Sequence, residues 1–570
     1  MTIATCLQGS KRLSSSKSIM ALPCPLGLRC WLPFLFAPQV LGLEKPHILF
    51  VLVDDLGWAD AGFNRAEPDP EVVTPNLNSL AAAGIHLRRH YVHSMCTPTR
   101  TSVQSGRLPV HVNTRLGDVC DDDTGIPYNM TGVAEKMRQA GYRTHFAGKW
   151  DAGMSTPRHS PHGRGYDTSL HYFSHKNDFY NQGNMQTCCE SDRSIVDFWR
   201  TDRAASDVNG TDYSEFLYRN ELLSIVQQHD VSLPLFLFYA PHVAHCPLQV
   251  PERYYNNFSW MSDDEDQCRQ QTVKSEHPID PSNLDLEYKC RQQHAAMVML
   301  MDEVVGDVAS ALKARGMWDS TLMIFSSDNG GPVRLAENAA NNWPLRGGKY
   351  SQFEGGIRAA AFVSGGVLPP QVLGTSKGGI IHIADWYGTL CSLAGIDAFD
   401  DRAAAAGLPP VDSLNVWPYL TGTSARSPRS TVPVGKSCLI SENWKLITAA
   451  TQPGFWQGPR FPNSSSVELQ APACSGGCLF DVEQDPTEQV NLYQERPDVV
   501  ESMSSQLEEL KEAFFENNDK FVKSCPENVI NCACWLAHHR YGGFLGPYAL
   551  LDGLADTPDK PGLAIASFSI

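Results

Sequence analysis

The chain has 570 residues and a formal net charge of −17 at pH 7. Its length exceeds the roughly 250–300 residues at which a single hydrophobic core stops growing, so we expect at least two domains. The acidic balance argues against nucleic acid as a partner, and an anionic substrate would need a local cluster of Lys and Arg side chains.

Residues 1–44 are predicted to form a signal peptide and leader. Three basic residues precede an apolar run that is broken only by Arg29 and includes 31–43, as in secretory signals. A signal anchor is the alternative, but two prolines and the short length count against it. No other stretch of about 20 apolar residues could span a bilayer, so we expect no stable membrane span. The expected destination is the secretory pathway, ending outside the cell or in the lysosome.

The 17 cysteines also fit an exported chain. Three lie in the leader, and Cys96 has its own role (below), so an odd number remains and at least one thiol is free or pairs elsewhere. Disulfides are favoured over metal sites for the closely spaced cysteines, which are Cys188 with Cys189, Cys474 with Cys478, and Cys532 with Cys534. Glycosylation acceptor motifs occur at Asn129, Asn209, Asn257 and Asn463.

The first predicted strand lies in 45–60. An unbroken apolar run from Ile48 to Val53 indicates a strand buried on both faces, and it ends in Asp54 and Asp55. Carboxylates at the carboxyl end of a parallel strand lie where α/β folds bind ligands. A strand-ending Asp turn is the alternative, although a divalent cation would relieve the repulsion between the two carboxylates.

The segment SMCTPTRTSVQSGR, residues 94–107, follows a helix predicted from Thr74–Pro75 to Gly84. Cys96 leads into a second helix, because Pro98 suits a first helical turn, and Arg100 lies about one turn further on. Free backbone N–H groups at such a helix start favour anions.

Residues 130–153 predict a helix, a turn, a strand and then an exposed loop that carries Lys149 and Asp151. By itself, Lys149 would be interpreted as a solvated surface lysine. The polar, aromatic-rich stretch 155–230 has few strong signals and is interpreted as insertions around the site.

Two further apolar runs repeat the pattern of the first strand. Leu235 to Tyr239 leads into a loop with His242 and His245, and 321–331 carries an apolar run into Asp328 and Asn329. A helix is predicted over 291–316 between them. An Asn-Gly turn is the alternative at 329–330, but two strand ends that both present oxygen ligands favour a metal site.

The remaining segments complete the two-domain prediction. A glycine-rich basic loop at 341–358 contains Arg346 and Lys349, and 380–395 reads as a strand and a helix. The stretch 396–435 is rich in Ala, Pro, Ser and Gly and marks the domain boundary. A small α+β domain is predicted beyond it, with strands near 443–449 and 478–486 and a helix near 499–517. The expected divisions are 1–44, a large domain 45–430, a small domain 431–548 and a weakly patterned tail 549–570.

Residues 45–545 resemble the type I, formylglycine-dependent sulfatases, and among them most closely the arylsulfatase B (N-acetylgalactosamine-4-sulfatase) branch. The segments that carry this resemblance are DDLGWAD, CTPTRTSVQSGR, AGKW, HCPLQVPERY, MDEVVG, SSDNGG, NNWPLRGGKYSQFEGGIR, HIADW and CLFDVEQDP. The resemblance implies an α/β, alkaline-phosphatase-like fold with a large mixed sheet flanked by helices and a small C-terminal α+β domain. It also implies hydrolysis of sulfate monoesters and a formylglycine made from Cys96 by the formylglycine-generating enzyme during secretion.

Roles follow by position from the resemblance. Asp54, Asp55, Asp328 and Asn329, with an oxygen of the modified Cys96, would bind one Ca²⁺ ion, with Mg²⁺ as the alternative; all offer the hard oxygen donors that Ca²⁺ selects. Arg100 would orient the formylglycine hydrate. The sulfate oxygens would be bound by Lys149, His245 and Lys349, and His245 or Lys349 would protonate the leaving alcohol. His242 is the alternative to His245.

One departure from the family pattern bears on turnover. The family usually has Gly-Lys-Trp-His where this chain has Asp151 as the fourth residue, and that histidine is the expected base for regenerating the aldehyde. Either burial raises the pKa of Asp151 above its reference of about 3.9, or His145 or another group substitutes, or turnover is slow.

Two competing functions stay open at this level. One is a formylglycine-dependent phosphonate or phosphodiester hydrolase, which would share the nucleophile and the metal. The other is a catalytically inactive binder of sulfated glycans.

Overall fold

The apolar runs of the sequence form the strands of a large mixed sheet in a computed structural model. The structure describes residues 45–185, 187–189, 192, 194–261, 290–333, 339–451, 454–460 and 474–550. The predicted leader, Asn463 and most of the predicted tail lie outside these residues. Within the described part of the chain, no helix is both long and apolar enough to cross a membrane.

Ten of the described strands belong to the large sheet, in the order β11-β2-β10-β9-β1-β8-β4-β5-β6-β7. Their bounds are β1 His47–Val53, β2 Ile85–Leu87, β4 Arg143–Lys149, β5 Thr168–Tyr172, β6 Trp199–Arg200, β7 Arg203–Ala204, β8 Leu235–Ala240, β9 Thr321–Ser327, β10 Ala361–Ser364 and β11 Thr375–Lys377. A separate parallel pair is formed by β3 His90–Tyr91 and β12 Ile381–His382.

The five central strands β9, β1, β8, β4 and β5 all run parallel to one another. Strand β10 pairs antiparallel with β9 and β2, and β6 and β7 add an antiparallel edge. Because parallel strands point the same way, the loops that follow the five central strands meet at one edge of the sheet.

Helices cover both faces of this sheet, which is why its central strands are apolar throughout. The described helices of the large domain are α1 Pro75–Ala82, α2 Cys96–Ser105, α3 Val133–Gln139, α4 Ser214–Gln228, α5 Glu252–Tyr255, α6 Cys290–Ala314, α7 Glu354–Ile357, α8 Asp385–Leu393, α9 Asp401–Ala405 and α10 Trp417–Leu420. One core cluster joins Phe50 and Phe238 to Trp386 of α8, and the other joins Val51 and Phe325 to Met301 of α6.

The predicted α+β fold of the C-terminal part is also present. Four antiparallel strands form a small sheet: β13 Thr431–Gly435, β14 Cys438–Ser441, β15 Trp444–Ile447 and β16 Cys478–Asp481. Helix α11 (Pro497–Lys511) packs on it through Met503 and Leu507. A second helix, α12 (Cys532–His539), and a strand pair, β17 Val522–Lys523 with β18 Ala549–Leu550, follow. We keep the start of β13 as the proposed domain boundary.

Two interpretations of the sequence are wrong. The stretch 155–230 is not an insertion, because it supplies β5, β6, β7 and α4 to the main domain. The sequence analysis missed these strands because the stretch is rich in polar residues and because β6 and β7 are only two residues long. The loop after β4 is not exposed either, since Lys149, Trp150 and Asp151 are all buried.

The disulfides of the described residues are Cys120–Cys188, Cys189–Cys534, Cys474–Cys478 and Cys525–Cys532. The prediction of disulfides at the closely spaced cysteines is therefore confirmed for Cys188, Cys189, Cys474, Cys478, Cys532 and Cys534. Cys474 and Cys478 bond to each other, whereas each of the other four bonds to a cysteine outside its own closely spaced pair. Cys391 and Cys438 carry buried free thiols, as does Cys96, which agrees with the odd count.

Candidate active site

The loops that follow the five parallel strands bring the predicted site residues together. Asp54 and Asp55 follow β1, Asp328 and Asn329 follow β9, and the 242–245 loop follows β8. Lys149 is the last residue of β4. The shared strand direction therefore explains why residues that are as much as 274 positions apart in the sequence contact each other in one buried cluster.

Cys96 is the first residue of α2 and is 1% exposed. Helix α2 ends at Ser105, where Gly106 adopts a left-handed conformation (φ 70°) and donates its N–H to Ser102. Burial raises the pKa of the Cys96 thiol to about 12, although Lys149 and Lys349 oppose this effect. The unmodified side chain is thus a protonated thiol surrounded by charged groups.

Each carboxylate of the cluster faces a buried cation. Lys149 Nζ donates to Asp54 Oδ2 at 2.8 Å, and Lys349 Nζ lies 2.7 Å from Asp55 Oδ1. Arg100 Nε and Nη2 both contact Asp328 Oδ2, at 2.9 and 2.8 Å. Burial lowers the pKa of Lys149, but the surrounding anionic groups, of which Asp54 contributes most, together outweigh that effect, so the pKa lies above its ordinary value and Lys149 stays charged.

Several buried oxygens of this cluster have no hydrogen-bond partner, as a cation site requires. Asp54 Oδ1 and Asn329 Oδ1 make no hydrogen bond to any described residue, and leaving such atoms unsatisfied is costly. Ligand atoms of Asp54, Asp55, Cys96 and His245 lie within 4.8 Å of one another. The donor set of this cluster fits a metal ion.

His245 lies at the edge of this cluster. Its Nε2 is 3.6 Å from Asp55 Oδ2, and its Nδ1 lies 2.7 Å from the Cys246 carbonyl oxygen. Burial, followed by Lys349 and Lys149, holds the pKa of His245 well below its ordinary value. His242 instead stacks on Phe179 with ring centroids 3.9 Å apart.

A buried glutamate fixes the loop that carries the two histidines. Glu215 of α4 accepts the backbone N–H groups of His242 and Val243 at 2.8 and 3.3 Å, and the Tyr239 hydroxyl at 2.6 Å. Burial raises the pKa of Glu215 to about 7.

Asp151 faces a histidine that the sequence analysis missed. Asp151 Oδ1 lies 3.0 Å from His175 Nδ1 and accepts the Thr97 hydroxyl at 2.9 Å, whereas Oδ2 lies 3.6 Å from Lys149 Nζ. Burial by itself would raise the pKa of Asp151, but His175 and Lys149 outweigh it and lower the pKa to about 2. The expectation of a raised pKa at Asp151 is therefore wrong.

Two residues named from the sequence make their contacts elsewhere. His145 lies near the start of β4, and its Nδ1 contacts Thr168 Oγ1 at 2.7 Å. Arg346 packs against the rings of Phe353 and Trp456 and donates to the Gly454 carbonyl. Among the acceptor asparagines, Asn257 is exposed and Asn129 and Asn209 are partly exposed.

His175, Thr97 and Glu215 are the site residues that sequence reasoning missed. His175 lies in the loop after β5, which was not recognised as a strand of the sheet. The alternation of apolar and polar residues at Leu170, His171 and Tyr172 is too weak to identify β5 as a strand. Glu215 had no signal, because only the fold brings α4 next to the loop after β8.

Comparisons with known proteins agree with this geometry. The family model described as Sulfatase matches residues 46–396. The chain is 30% identical to mouse (Mus musculus) arylsulfatase J over 491 residues, covering 82% of this chain and 76% of that protein. It is 28% identical to human (Homo sapiens) arylsulfatase A, covering 79% and 83%. The crystal structure of Ps i-CgsB in complex with k-i-k-neocarrahexaose is similar in fold, with a TM-score of 0.64 and 23% identity over 83% of this chain and 94% of that one.

Proposed function

The chain belongs to the sulfatase family, and from that premise we propose that it hydrolyses sulfate monoesters through a formylglycine made from Cys96 and a bound calcium ion. The observation that carries the proposal is the buried position of Cys96, at the start of α2, among three cations and the oxygen-rich strand ends. Hydrolysis of a sulfate ester requires the nucleophile, the cations and the oxygen ligands to lie close to the sulfur atom of the ester.

The metal would be held by Asp54, Asp55, Asp328 and Asn329, joined by an oxygen at residue 96. When bound, the metal lowers the pKa of the attacking hydroxyl and polarises a sulfate oxygen. Buried oxygens without hydrogen-bond partners on Asp54 and Asn329 support this assignment. Mg²⁺ is the alternative ion.

The chain's cations are proposed to bind the ester. Lys149 and Lys349 stay charged in the buried site and can bind the sulfate oxygens, because fixed charges in a water-poor site stabilise developing negative charge strongly. Arg100 holds Asp328 and is proposed to orient the hydrate of residue 96. His245, whose ring lies at the edge of the cluster, or Lys349 is proposed to protonate the leaving alcohol.

For the natural substrate we propose a sulfated sugar or glycan. Mouse N-acetylgalactosamine-6-sulfatase is 27% identical over 66% of this chain, which supports a sugar sulfate as the class. A 4-sulfated N-acetylgalactosamine is the finer proposal and rests on the motifs of the arylsulfatase B branch. The disulfides support passage through the secretory pathway, with an extracellular or lysosomal destination.

The test combines a mass spectrum with a release assay. Protein from a eukaryotic secretory host is digested, and the peptide spanning residues 90–100 is weighed to detect conversion of Cys96. Sulfate release is then measured from N-acetylgalactosamine 4-sulfate and from 4-nitrophenyl sulfate, with Cys96→Ala as the control variant. Hydrolysis that requires Cys96 supports the proposal, whereas an intact thiol in an active protein refutes the nucleophile.

Assays with paired sulfate and phosphorus esters distinguish sulfate ester hydrolysis from the competing phosphonate or phosphodiester hydrolase activity. 4-Nitrophenyl phosphate and phenyl phosphonate esters are assayed beside the sulfates, and a preference for them would refute sulfate ester hydrolysis as the main activity. Binding of sulfated glycans without release from a converted protein would indicate an inactive binder.

A further inference from the structure

Buried Asp151 and partly exposed His175 form a pair whose position is fixed by the backbone. The pairing of β4 with β5 continues beyond both strands, because the Asp151 N–H donates to the Phe173 carbonyl at 3.2 Å. Asp197 accepts the N–H groups of Phe173 and Ser174, both at 2.9 Å, and so fixes the turn that leads to His175. The pair is therefore held in place by main-chain contacts on both sides.

The pair lies beside residue 96. Thr97, the next residue of α2, donates its hydroxyl to Asp151 Oδ1 and lies 3.5 Å from His175 Nδ1. Asp151 itself has φ of 47°, a left-handed conformation that is uncommon for residues other than glycine and that concentrates at functional sites.

The hydrogen bond determines which nitrogen of His175 can accept a proton. Asp151 is ionised, because its pKa is lowered to about 2, and a carboxylate can only accept. Nδ1 of His175 must therefore carry the shared proton and donate it, which leaves the lone pair on Nε2. Nε2 makes no hydrogen bond to any described residue, and the side chain is 14% exposed. An aspartate that orients an imidazole in this way is the arrangement of the Ser-His-Asp triad.

We propose that His175 supplies the general base of this site, with Asp151 as the residue that positions it. The inference rests on the proposed function. Nε2 takes the hydroxyl proton of residue 96, directly or through one water, in the last step of turnover. The electron pair of the broken O–H bond becomes the second carbon–oxygen bond of the aldehyde, and sulfate departs with the electron pair of its own bond to that carbon.

The first experiment measures kcat and KM of His175→Gln with two aryl esters, 4-nitrophenyl sulfate and phenyl sulfate. Loss of a general base should lower kcat by about 10²–10³-fold, and KM should fall with it, because the steps up to departure of the phenol, which set kcat/KM, are unaffected. Because the affected step follows departure of the phenol, the variant's kcat should become the same for both esters. His538→Gln is the matched control, since His538 contacts Asp192 at 2.6 Å in an exposed pair of the same chemistry and should leave kcat unchanged.

Rescue distinguishes a base from a structural side chain. Added imidazole should restore activity to His175→Gly in a saturable way. The double variant Asp151→His with His175→Gln, which recreates the family's arrangement, should exceed His175→Gln by at least about tenfold.

NMR tests the hydrogen bond between Asp151 and His175 without requiring turnover. In the full chain carrying Cys96→Ala and ¹³Cε1-labelled histidine, one NMR signal should vanish in His175→Gln and shift in Asp151→Asn. No shift in Asp151→Asn would show that the pair does not form and would overturn the inference.

Further outcomes distinguish failure of the proposed role of His175 from failure of the proposed function. Full activity of His175→Gln, or a loss that grows as the phenol becomes less acidic, overturns the role of His175 alone; the second result would make it a leaving-group acid. A wild-type chain that contains formylglycine but hydrolyses neither ester refutes the proposed function.

Discussion

Replacing Gly148 with alanine should push the end of β4 away from β8 and displace Lys149. Gly148 pairs with Ala240 in the parallel register and has φ of 110°. A Cβ atom at this position would lie 1.8 Å from the Ala240 carbonyl oxygen, which belongs to the backbone and cannot rotate away. The next residue carries the amine that contacts Asp54 at 2.8 Å, so any shift of β4 is transmitted directly to the site.

The expected loss of stability in Gly148→Ala follows from comparison with Gly141, which precedes the same strand. Gly141 has φ of 89°, but nothing lies within 4 Å of its added Cβ. Both alanine variants incur about 1–2 kcal/mol of backbone strain, and Gly148→Ala adds about 1–3 kcal/mol of steric overlap. An unfolding entropy of about 2.1 cal/mol/K per residue makes each kcal/mol about 1 °C in Tm for a chain of this length.

The assay therefore compares Tm and kcat/KM between the two alanine variants. Gly141→Ala should lower Tm by about 1–2 °C and leave kcat/KM unchanged. Gly148→Ala should lower Tm by about 2–5 °C and kcat/KM by about 10²-fold, because a displacement of about 1 Å in a positioning group has that effect. Equal Tm and equal activity in the two variants would refute the argument that the close approach of β4 to β8 positions Lys149.

Three further outcomes follow from the buried charges and the metal site. Lys445→Met should destabilise the fold by about 3–5 kcal/mol, because it leaves Glu354 and Glu488 buried without their shared cation; Lys436→Met, at an exposed pair, is the control and should leave Tm unchanged. Since burial raises the pKa of Glu215 to about 7, the folded chain binds more protons there than the unfolded chain between about pH 4.5 and 7. Stability from this group therefore falls as pH rises through that window, and Glu215→Gln should flatten the dependence of Tm on pH. EDTA should abolish sulfate release and lower Tm, and added Ca²⁺ should restore both; activity that persists in EDTA would contradict the metal site.

The central strands and the polar residues at their ends were predictable from the order of the amino acids. The apolar runs at Ile48–Val53, 235–239 and 322–325 indicated buried strands, because their residues are apolar on both faces. Polar residues directly after such runs were expected to meet at one edge of a parallel sheet, and the parallel pairing of β1 with β9 brings Asp54 and Asp328 together there. The family motifs around Cys96 supplied the reaction.

Which polar side chains are buried, and what each one contacts, depends on the fold and was not predictable from the sequence. Lys149 reads as a surface lysine because its exposure depends on strands far away in the sequence, and it is fully buried. The pKa of Asp151 depends in the same way on His175, which is 24 residues further along the chain in a loop after a weakly patterned strand. Electrostatic effects act through space, so their sign at Asp151 could not be obtained from residue order.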